Sequence, residues 1–329
     1  MLDNVADTFS SESPLLLGIG YDSHEPIAFS VAWHSACVTT SIPIACMRLA
    51  APVVAAALPT YTRPHDPKQS TEFTYLRFLL PLLASRSTEG GIYFKWALFI
   101  DDDMLFTDDI ANLVADAWSN SGPDCAVYTV QHPQGLTPTS STKLANVPQT
   151  DYPRKNWSSV MLFNLYHPVM STLTPEYVST ASPADLHRLL WLTDERKQLG
   201  RLPGRWNWLV GWYNSDEHGS ASLVHYTDGG PWYPDHRADG MDYGDEWIAA
   251  LRLFEESLTS QRSLGPYERF SARDPPSPKW SGYPNSDDPY WTPDEEEAWQ
   301  EHVRTTLIAD ELIFAKEHGT LPVIDVYVP

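Results

Sequence analysis

An apolar run that ends in three carboxylates is the strongest constraint on what this chain can fold into. Residues 96–100 are Trp-Ala-Leu-Phe-Ile, Asp101, Asp102 and Asp103 follow, and residues 104–106 are apolar again. A run of this length is typical of a buried strand. Adjacent buried carboxylates repel one another and are costly without a counter-charge. Because carboxylate oxygens suit hard cations, the stretch predicts Mg²⁺ or Mn²⁺ at the end of a strand.

The same triplet also fits a plain polar turn, with Asp102 facing solvent. In open α/β sheets, ligands bind beyond the carboxyl ends of the strands. A metal held there would lie within reach of a phosphorylated substrate, so the surroundings of the triplet decide between the two interpretations.

Strands and helices alternate along the first 260 residues, a pattern typical of an α/β fold. Each strand is a short apolar run and each helix has apolar spacing near 3.6 residues. Strands are predicted at 15–20, 42–44 or 53–61, 96–100, 126–130, 158–164 and 222–226, and helices at 27–37, 70–83, 108–118, 174–180, 183–198 and 243–258.

Composition changes divide the chain into three parts. Residues 1–14 are polar and are predicted to be a flexible N-terminus, residues 15–260 form the main domain, and residues 261–329 form an extension packed on it. Within the extension, 263–293 is irregular, 293–318 is an acidic helix and 321–328 is a strand. The segment 131–157 lacks a regular pattern, as functional or disordered segments do.

The charge balance excludes some partners. With 22 basic and 43 acidic residues the net charge is −21, which argues against binding to nucleic acid. No apolar stretch approaches the roughly 20 residues that span a bilayer. Because the three cysteines fit no disulfide or metal pattern and no signal peptide is evident, we expect a cytoplasmic protein without a transmembrane segment.

Three further features accompany the triplet. His225 ends another apolar run, and imidazole can complete a carboxylate metal site. Gly229 and Gly230 permit close approach of the backbone to a ligand. Arg154 and Lys155 offer charge for a phosphate in an acidic protein. Taken singly, each fits an ordinary structural histidine, turn or solvated basic pair.

Together these motifs resemble GT-A nucleotide-sugar glycosyltransferases, in the landmark order of glycosyltransferase family eight and its bacterial relatives. The resemblance covers about residues 15–250 and implies a Rossmann-like mixed sheet flanked by helices. The motifs are Ile19-Gly20-Tyr21-Asp22, Thr74-Tyr75-Leu76-Arg77, the Asp triplet as Asp-x-Asp, Asn156-Trp157-Ser158-Ser159 continuing to Asn164, Leu202-Pro203-Gly204-Arg205-Trp206-Asn207-Trp208, and His225 to Trp232.

The resemblance implies a role for each matched position. Asp101, Asp103 and His225 would bind Mn²⁺ or Mg²⁺. Asn164 would line the sugar pocket, and Asp194 falls near the place of a catalytic pair, although it also suits an exposed helix end. The residues expected around the donor are Tyr21, Asp22, Arg77, Asp102, Arg154, Lys155, Gly229, Gly230 and Trp232.

One position departs from the family. The closing motif of the family has a lysine that contacts phosphate before Pro-Trp, and here that place is Gly230, with one residue fewer after His225. Arg154 or Lys155 would have to replace its charge, or phosphate binding differs.

The implied function is metal-dependent transfer of a hexose from a nucleoside-diphosphate sugar, with a UDP-sugar as the expected donor, to a saccharide or related acceptor with retention. Two alternatives remain open. A metal-dependent nucleotidyltransferase or phosphohydrolase also uses acidic residues at a strand end, and a non-catalytic carbohydrate-binding relative would account for the absent lysine.

Overall fold

A computed structural model describes residues 5–66, 69–87, 92–136, 142–143, 147–148, 153–233 and 240–259, together with the C-terminal positions 311, 316, 321, 323 and 325–329. The strands are β1 (Leu15–Tyr21), β2 (Ile44–Ala50), β3 (Trp96–Ile100), β4 (Met104–Phe106), β5 (Val127–Val130), β6 (Thr142–Lys143), β7 (Val147–Pro148), β8 (Val160–Asn164), β9 (Leu199–Leu202), β10 (Trp208–Leu209), β11 (Leu223–His225) and β12 (Asp325–Tyr327). The helices are α1 (Pro26–Thr39), α2 (Ala51–Ala57), α3 (Leu80–Arg86), α4 (Ile110–Ser121), α5 (Pro175–Thr180), α6 (Pro183–His187), α7 (Glu195–Gln198), α8 (Ser215–His218) and α9 (Gly244–Thr259).

The main sheet is mixed. Among the described residues its seven strands lie in the order β12-β2-β1-β3-β8-β5-β9. β1 runs parallel to β2 and β3, β8 runs antiparallel to β3 and β5, and β9 runs parallel to β5. All residues of β1, β2 and β3 are buried, as expected for strands covered on both faces. The predicted α/β class with a mixed sheet flanked by helices is therefore confirmed.

A second, small sheet begins where the Asp triplet ends. It has the order β10-β11-β4, with β11 parallel to β10 and antiparallel to β4. The chain leaves the main sheet at Ile100 and enters the small sheet at Met104, so the triplet is the junction between them. In the small sheet His225 lies opposite Met104. This register brings His225 beside the triplet across more than a hundred residues of sequence.

Strand directions gather several chain segments at one edge of the main sheet. Ile100, at the carboxyl end of β3, pairs with Val160 at the start of β8. Thr129, near the carboxyl end of β5, pairs with Met161. The segment before β8 and the residues after β3 and β5 therefore share this edge, which we call the site edge.

Two of the elements predicted in the first 90 residues differ from the structure. Residues 53–61 do not form a strand, because residues 51–57 form α2, with Pro52 in the first helical turn and alanines that favour a helix. The second strand is instead β2, which begins at Ile44, where the alternative prediction 42–44 ended. The predicted helix 70–83 is a 3₁₀ turn at Leu76–Leu79 followed by α3. Pro81 lies in the first turn of α3, where a proline is tolerated.

The predicted helix 183–198 is also wrong as a single element. Ser182 and Asp185 form a capping box that starts α6. Leu189 then adopts a left-handed conformation (φ 57°), and the chain becomes helical again only in α7. The strand β9 follows directly and was not predicted. It has only four residues, one of them exposed, which is too short for a clear apolar pattern.

The described parts of both termini contact the core. Val5 and Phe9 are buried, although the N-terminal segment was expected to be flexible. Near the other end, Glu311 forms a buried ion pair with Arg48 (3.1 Å), and β12 pairs with β2. Most of the predicted helix 293–318 and all of 263–293 lie outside the described residues. Among the described residues, no helix combines the length and the apolar character needed to cross a membrane.

Candidate metal centre

Two carboxylates and one imidazole converge at the site edge. The ligand atoms of Asp101, Asp103 and His225 all lie within 4.8 Å of one another. His225 Nε2 is 3.4 Å from Asp103 Oδ1 and 4.0 Å from Asp101 Oδ2. The backbone N–H of Tyr226 donates to the Asp103 carbonyl (3.0 Å), which extends the pairing of β11 with β4. We call these three residues the metal cluster.

The imidazole of His225 is held in one orientation. Its Nδ1 lies 2.7 Å from Asn207 Oδ1, and Asn207 Nδ2 donates to the Asn156 carbonyl (2.9 Å). Because the amide oxygen of Asn207 accepts, Nδ1 of His225 carries the proton in the neutral ring. The lone pair of Nε2 then faces the two carboxylates. Such an outer hydrogen bond is the usual support of a metal-binding histidine.

Asp101 is buried beside Arg77. Arg77 Nη1 lies 2.8 Å from Asp101 Oδ1, and the guanidinium also donates to the carbonyls of Thr74 and Ser158, both at 2.9 Å. Burial raises the pKa of Asp101, while the charge of Arg77 opposes that shift. Arg77 therefore holds one oxygen of Asp101, and Oδ2 is the oxygen nearer to His225.

Asp102 faces away from the metal cluster and joins the loop after β1. Its Oδ2 accepts the backbone N–H of Asp22 (2.9 Å), and the residue is only 1% exposed. Burial, and then the charges of Glu25, Asp103 and Asp22, raise its pKa well above the ordinary value. Among the described residues, no donor reaches its buried Oδ1.

Asp22 belongs to a second group with metal-ligand composition, which we call the loop cluster: Asp22, His24 and Glu72. Asp22 Oδ1 accepts the His24 backbone N–H (3.0 Å) and lies 2.6 Å from His24 Nδ1. Its Oδ2 accepts the backbone N–H of Glu72 (3.1 Å). Glu72 in turn accepts from the backbone and the hydroxyl of Ser23. The chain itself thus satisfies the carboxylates of this cluster.

Gly229 and Gly230 follow β11, and the Trp232 ring packs against Gly230. Gly229 has φ 112°, a conformation that favours glycine. At Gly230 a Cβ atom would lie 1.9 Å from the Trp232 ring, so no side chain fits there with the ring in place. The lysine that the resemblance leads us to expect here would therefore not fit beside this ring.

Several residues expected at the site are engaged elsewhere. Arg154 donates to both oxygens of Glu195 (2.9 and 2.8 Å), and Lys155 is partly buried. Asp194 forms a surface ion pair with Lys197 (3.1 Å). Arg154 also donates to the Arg188 carbonyl (2.6 Å), and the Asp194 backbone N–H donates to Gln198 (2.9 Å), so these contacts hold both residues among segments other than the metal cluster.

Asn164 and Tyr21, which were also expected at the site, lie in other surroundings. Asn164 pairs with Trp96 at the start of β3, which is the edge of the sheet opposite Asp101. This placement follows from the antiparallel direction of β8. The Tyr21 ring is buried against Phe29 and Arg48, and burial raises its pKa to about 12.

Three residues near the site were not singled out from the sequence. Asn207 lay inside a quoted motif, but its hydrogen bond to His225 depends on the fold. Glu25 precedes α1 and accepts from Trp232 Nε1 (3.0 Å) and the Tyr233 hydroxyl (3.1 Å). Burial, with the charges of Asp103 and Asp22, raises the Glu25 pKa to about 8.

The third such residue is His132, which follows β5 at the site edge. It is 6% exposed, and its Nδ1 lies 2.9 Å from the Tyr213 hydroxyl. Burial, and to a lesser extent the charge of His225, lower its pKa to about 3, so the ring is neutral at physiological pH. Its position just past a strand that ends at this edge was the available sequence signal.

The donor set of the metal cluster suits a hard or borderline divalent cation. Two carboxylates and one neutral imidazole are common ligands of Mn²⁺, and carboxylates suit Mg²⁺. Arg77 compensates the charge of Asp101, and a bound cation would also compensate that of Asp103, which lies 3.4 Å from Nε2 of His225. The residues present therefore fit the expected metal.

No protein-family model matches the sequence. Protein CDI of Arabidopsis thaliana is 36% identical over 256 residues, which are 75% of this chain and 90% of that protein. Among solved structures, the bifunctional glycosyltransferase WbbM is 16% identical with a TM-score of 0.43, and the match covers 73% of this chain but only 50% of WbbM. The galactosyltransferase LgtC, solved with donor and acceptor sugar analogues, is 13% identical with a TM-score of 0.41, covering 73% of this chain and 96% of LgtC.

Both structural likenesses are distant, whereas the likeness to the plant protein is close and covers nearly all of it. On that sequence identity and coverage, the chain belongs to the family of the Arabidopsis thaliana Protein CDI.

Proposed function

We propose that this protein is a metal-dependent glycosyltransferase that moves a hexose from a nucleoside-diphosphate sugar to a saccharide or related acceptor. The observation that carries the proposal is the metal cluster, with ligand atoms within 4.8 Å at the edge where β3 ends. The motif resemblance supports a UDP-sugar as donor and retention of configuration. Cys37, Cys46 and Cys125 are buried and form no disulfide within the described part of the chain, which supports a reducing, cytoplasmic setting.

The residues of the chain would divide the work as follows. Asp101, Asp103 and His225 would hold Mn²⁺ or Mg²⁺, whose positive charge would favour departure of the nucleoside diphosphate. Arg77 keeps Asp101 in place through its 2.8 Å ion pair. Asn207 keeps Nε2 of His225 directed at the two carboxylates through the 2.7 Å contact with Nδ1.

The donor would lie beside the loop after β1. Asp102 links this loop to the metal cluster, because its carboxylate accepts the Asp22 backbone N–H. We assign no catalytic role to Asp194 or Asn164, since Asp194 pairs with Lys197 and Asn164 lies at the other edge of the sheet. Front-face departure and attack, which needs no protein nucleophile, is consistent with this arrangement.

The proposal is tested by calorimetric titration of Mn²⁺ and of a panel of nucleotide sugars. We expect Asp103→Asn, which preserves shape and removes charge, to lose Mn²⁺ binding and Mn²⁺-dependent donor binding. Glu176→Ala on the exposed face of α5 is the matched control and should bind like the wild type. Equal binding by Asp103→Asn and wild type would contradict the proposal.

The products separate this function from its alternatives. Transfer releases a nucleoside diphosphate and leaves the hexose on the acceptor, which mass spectrometry detects. Release of pyrophosphate or inorganic phosphate would instead indicate a nucleotidyltransferase or phosphohydrolase. Tight donor binding with no free sugar or transfer product over hours would indicate a binding protein.

A further inference from the structure

Glu25 connects two loops that lie far apart in sequence. It directly precedes α1 at the end of the loop after β1. One of its oxygens, Oε2, accepts from both Trp232 Nε1 (3.0 Å) and the Tyr233 hydroxyl (3.1 Å). The two donors follow the last metal-cluster residue, His225, by only seven and eight positions. The contact thus ties the loop after β1 to the segment after β11.

Packing fixes the tryptophan that makes this contact. The Trp232 ring lies 5.1 Å from Trp247 on α9 and 5.8 Å from Tyr226, measured between ring centroids. It also covers Gly230, where a Cβ would overlap the ring. Only a glycine at position 230 lets the indole fold back toward Glu25. We call Glu25, Gly230, Trp232 and Tyr233 the clasp.

The clasp is close enough to the metal cluster to interact with it electrostatically. Burial, together with the nearby carboxylates of Asp103 and Asp22, raises the pKa of Glu25 to about 8. A carboxylate in such surroundings is unfavourable unless hydrogen-bond donors or a cation compensate it. Trp232 and Tyr233 supply the donors, and a cation bound by the metal cluster would add to them.

We propose that Glu25 is a positioning residue, which holds the segment Gly229–Tyr233 closed beside the metal cluster before a ligand arrives. A segment ordered in advance loses less conformational entropy on binding, so the clasp should strengthen binding of a metal–nucleotide complex. The effect on binding rests on the proposed function, whereas the existence of the clasp does not. The distinguishing property is that a hydrogen-bond acceptor, and not a negative charge, is needed at position 25.

Hydrogen exchange of the backbone amides tests the clasp without any ligand. In Glu25→Ala we expect exchange of the segment 226–233 to rise by about tenfold, because two hydrogen bonds are lost. Glu25→Gln keeps an acceptor oxygen and should stay near the wild-type rate, as should Glu176→Ala. If Glu25→Ala fails to fold, Tyr233→Phe, which removes one donor, should give a smaller rise in the same segment. Unchanged exchange in the variant that folds overturns the clasp.

Calorimetry with Mn²⁺ and uridine diphosphate tests its effect on binding. We expect about tenfold weaker nucleotide binding in Glu25→Ala and near-complete rescue in Glu25→Gln. Faster exchange with unchanged nucleotide affinity overturns the positioning role. A wild-type protein that binds no nucleotide in the presence of Mn²⁺ contradicts the proposed function and the affinity effect, while the exchange experiment still decides whether the clasp exists.

Discussion

The metal cluster and the loop cluster have nearly the same composition and opposite character. Each holds carboxylates and one histidine, and in each the ligand atoms lie within 4.8 Å of one another. In the loop cluster, His24 turns its Nδ1 to Asp22 at 2.6 Å, and its side chain is 79% exposed. In the metal cluster, His225 turns its Nδ1 to Asn207 and leaves Nε2 for the carboxylates, with a side chain only 3% exposed.

The difference lies in what satisfies the carboxylates. Backbone N–H groups of His24 and Glu72 donate to Asp22, so donors from its own turn and from a second segment compensate its charge. Among the described residues, Asp101 pairs with Arg77 through Oδ1 and accepts a hydrogen bond from the Ser159 side chain, while its Oδ2 lies 4.0 Å from Nε2 of His225. The two clusters therefore resemble each other in composition and proximity and differ in the direction of their donors and lone pairs.

The largest expected difference between the clusters is in metal affinity after loss of a histidine. His225→Ala should weaken Mn²⁺ binding by at least about 100-fold, since removing a ligand costs more than removing its outer hydrogen bond. His24→Ala is the matched change in the loop cluster and should leave Mn²⁺ binding near wild type. Isothermal titration of both variants measures this. Equal losses would mean that the loop cluster also binds the ion.

Removing the outer hydrogen bond should have a smaller effect. Asn207→Ala leaves His225 in place but frees its ring, and we expect Mn²⁺ affinity to fall by about 10- to 100-fold. Ser23→Ala removes the corresponding outer hydrogen bond of the loop cluster, from the Ser23 hydroxyl to Glu72 (2.9 Å), and should not affect the metal. An Asn207→Ala protein with wild-type affinity would show that the orientation of His225 does not depend on this amide.

The smallest expected effect is in the titration of His24. Its contact with the Asp22 carboxylate raises the His24 pKa above the ordinary value, because the carboxylate favours the charged ring. The contribution of this contact to stability is thus present below about pH 6.5, the pKa of a free histidine, and is lost as the pH rises through the raised pKa. NMR titration should show a lower His24 pKa in Asp22→Asn. A His24 pKa that shifts on adding Mg²⁺ to the wild type would contradict the separation of the two clusters.

Local sequence patterns predicted much of the fold because several elements are defined by their own residues. The run 96–100 is apolar at every position and forms β3, and Asp109 caps α4 with its side chain as a helix-starting residue does. Elements with weak or divided signals were mispredicted. A proline is tolerated in the first turn of a helix and disrupts the interior of one. Only the preceding 3₁₀ turn shows that Pro81 lies in a first turn.

The candidate site shows the same division. Asp101, Asp103 and His225 were predicted together as metal ligands, and the structure brings their ligand atoms close. Arg154 and Asp194 were expected near the donor, but a charged residue in a sequence does not reveal its partner. In the folded chain they pair with Glu195 and Lys197. Glu25 was not predicted as a site residue because its partners lie more than 200 residues away in sequence.

The sequence by itself determined that the chain is an α/β protein with a carboxylate triplet at a strand end, because hydrophobic periodicity and the cost of buried charge act locally. Only the tertiary structure decided which of the many acids and histidines meet. The pairing of β11 with β4 carries His225 to Asp103, and the antiparallel direction of β8 carries Asn164 away. Strand direction and register depend on contacts across the whole sheet, which no single segment encodes.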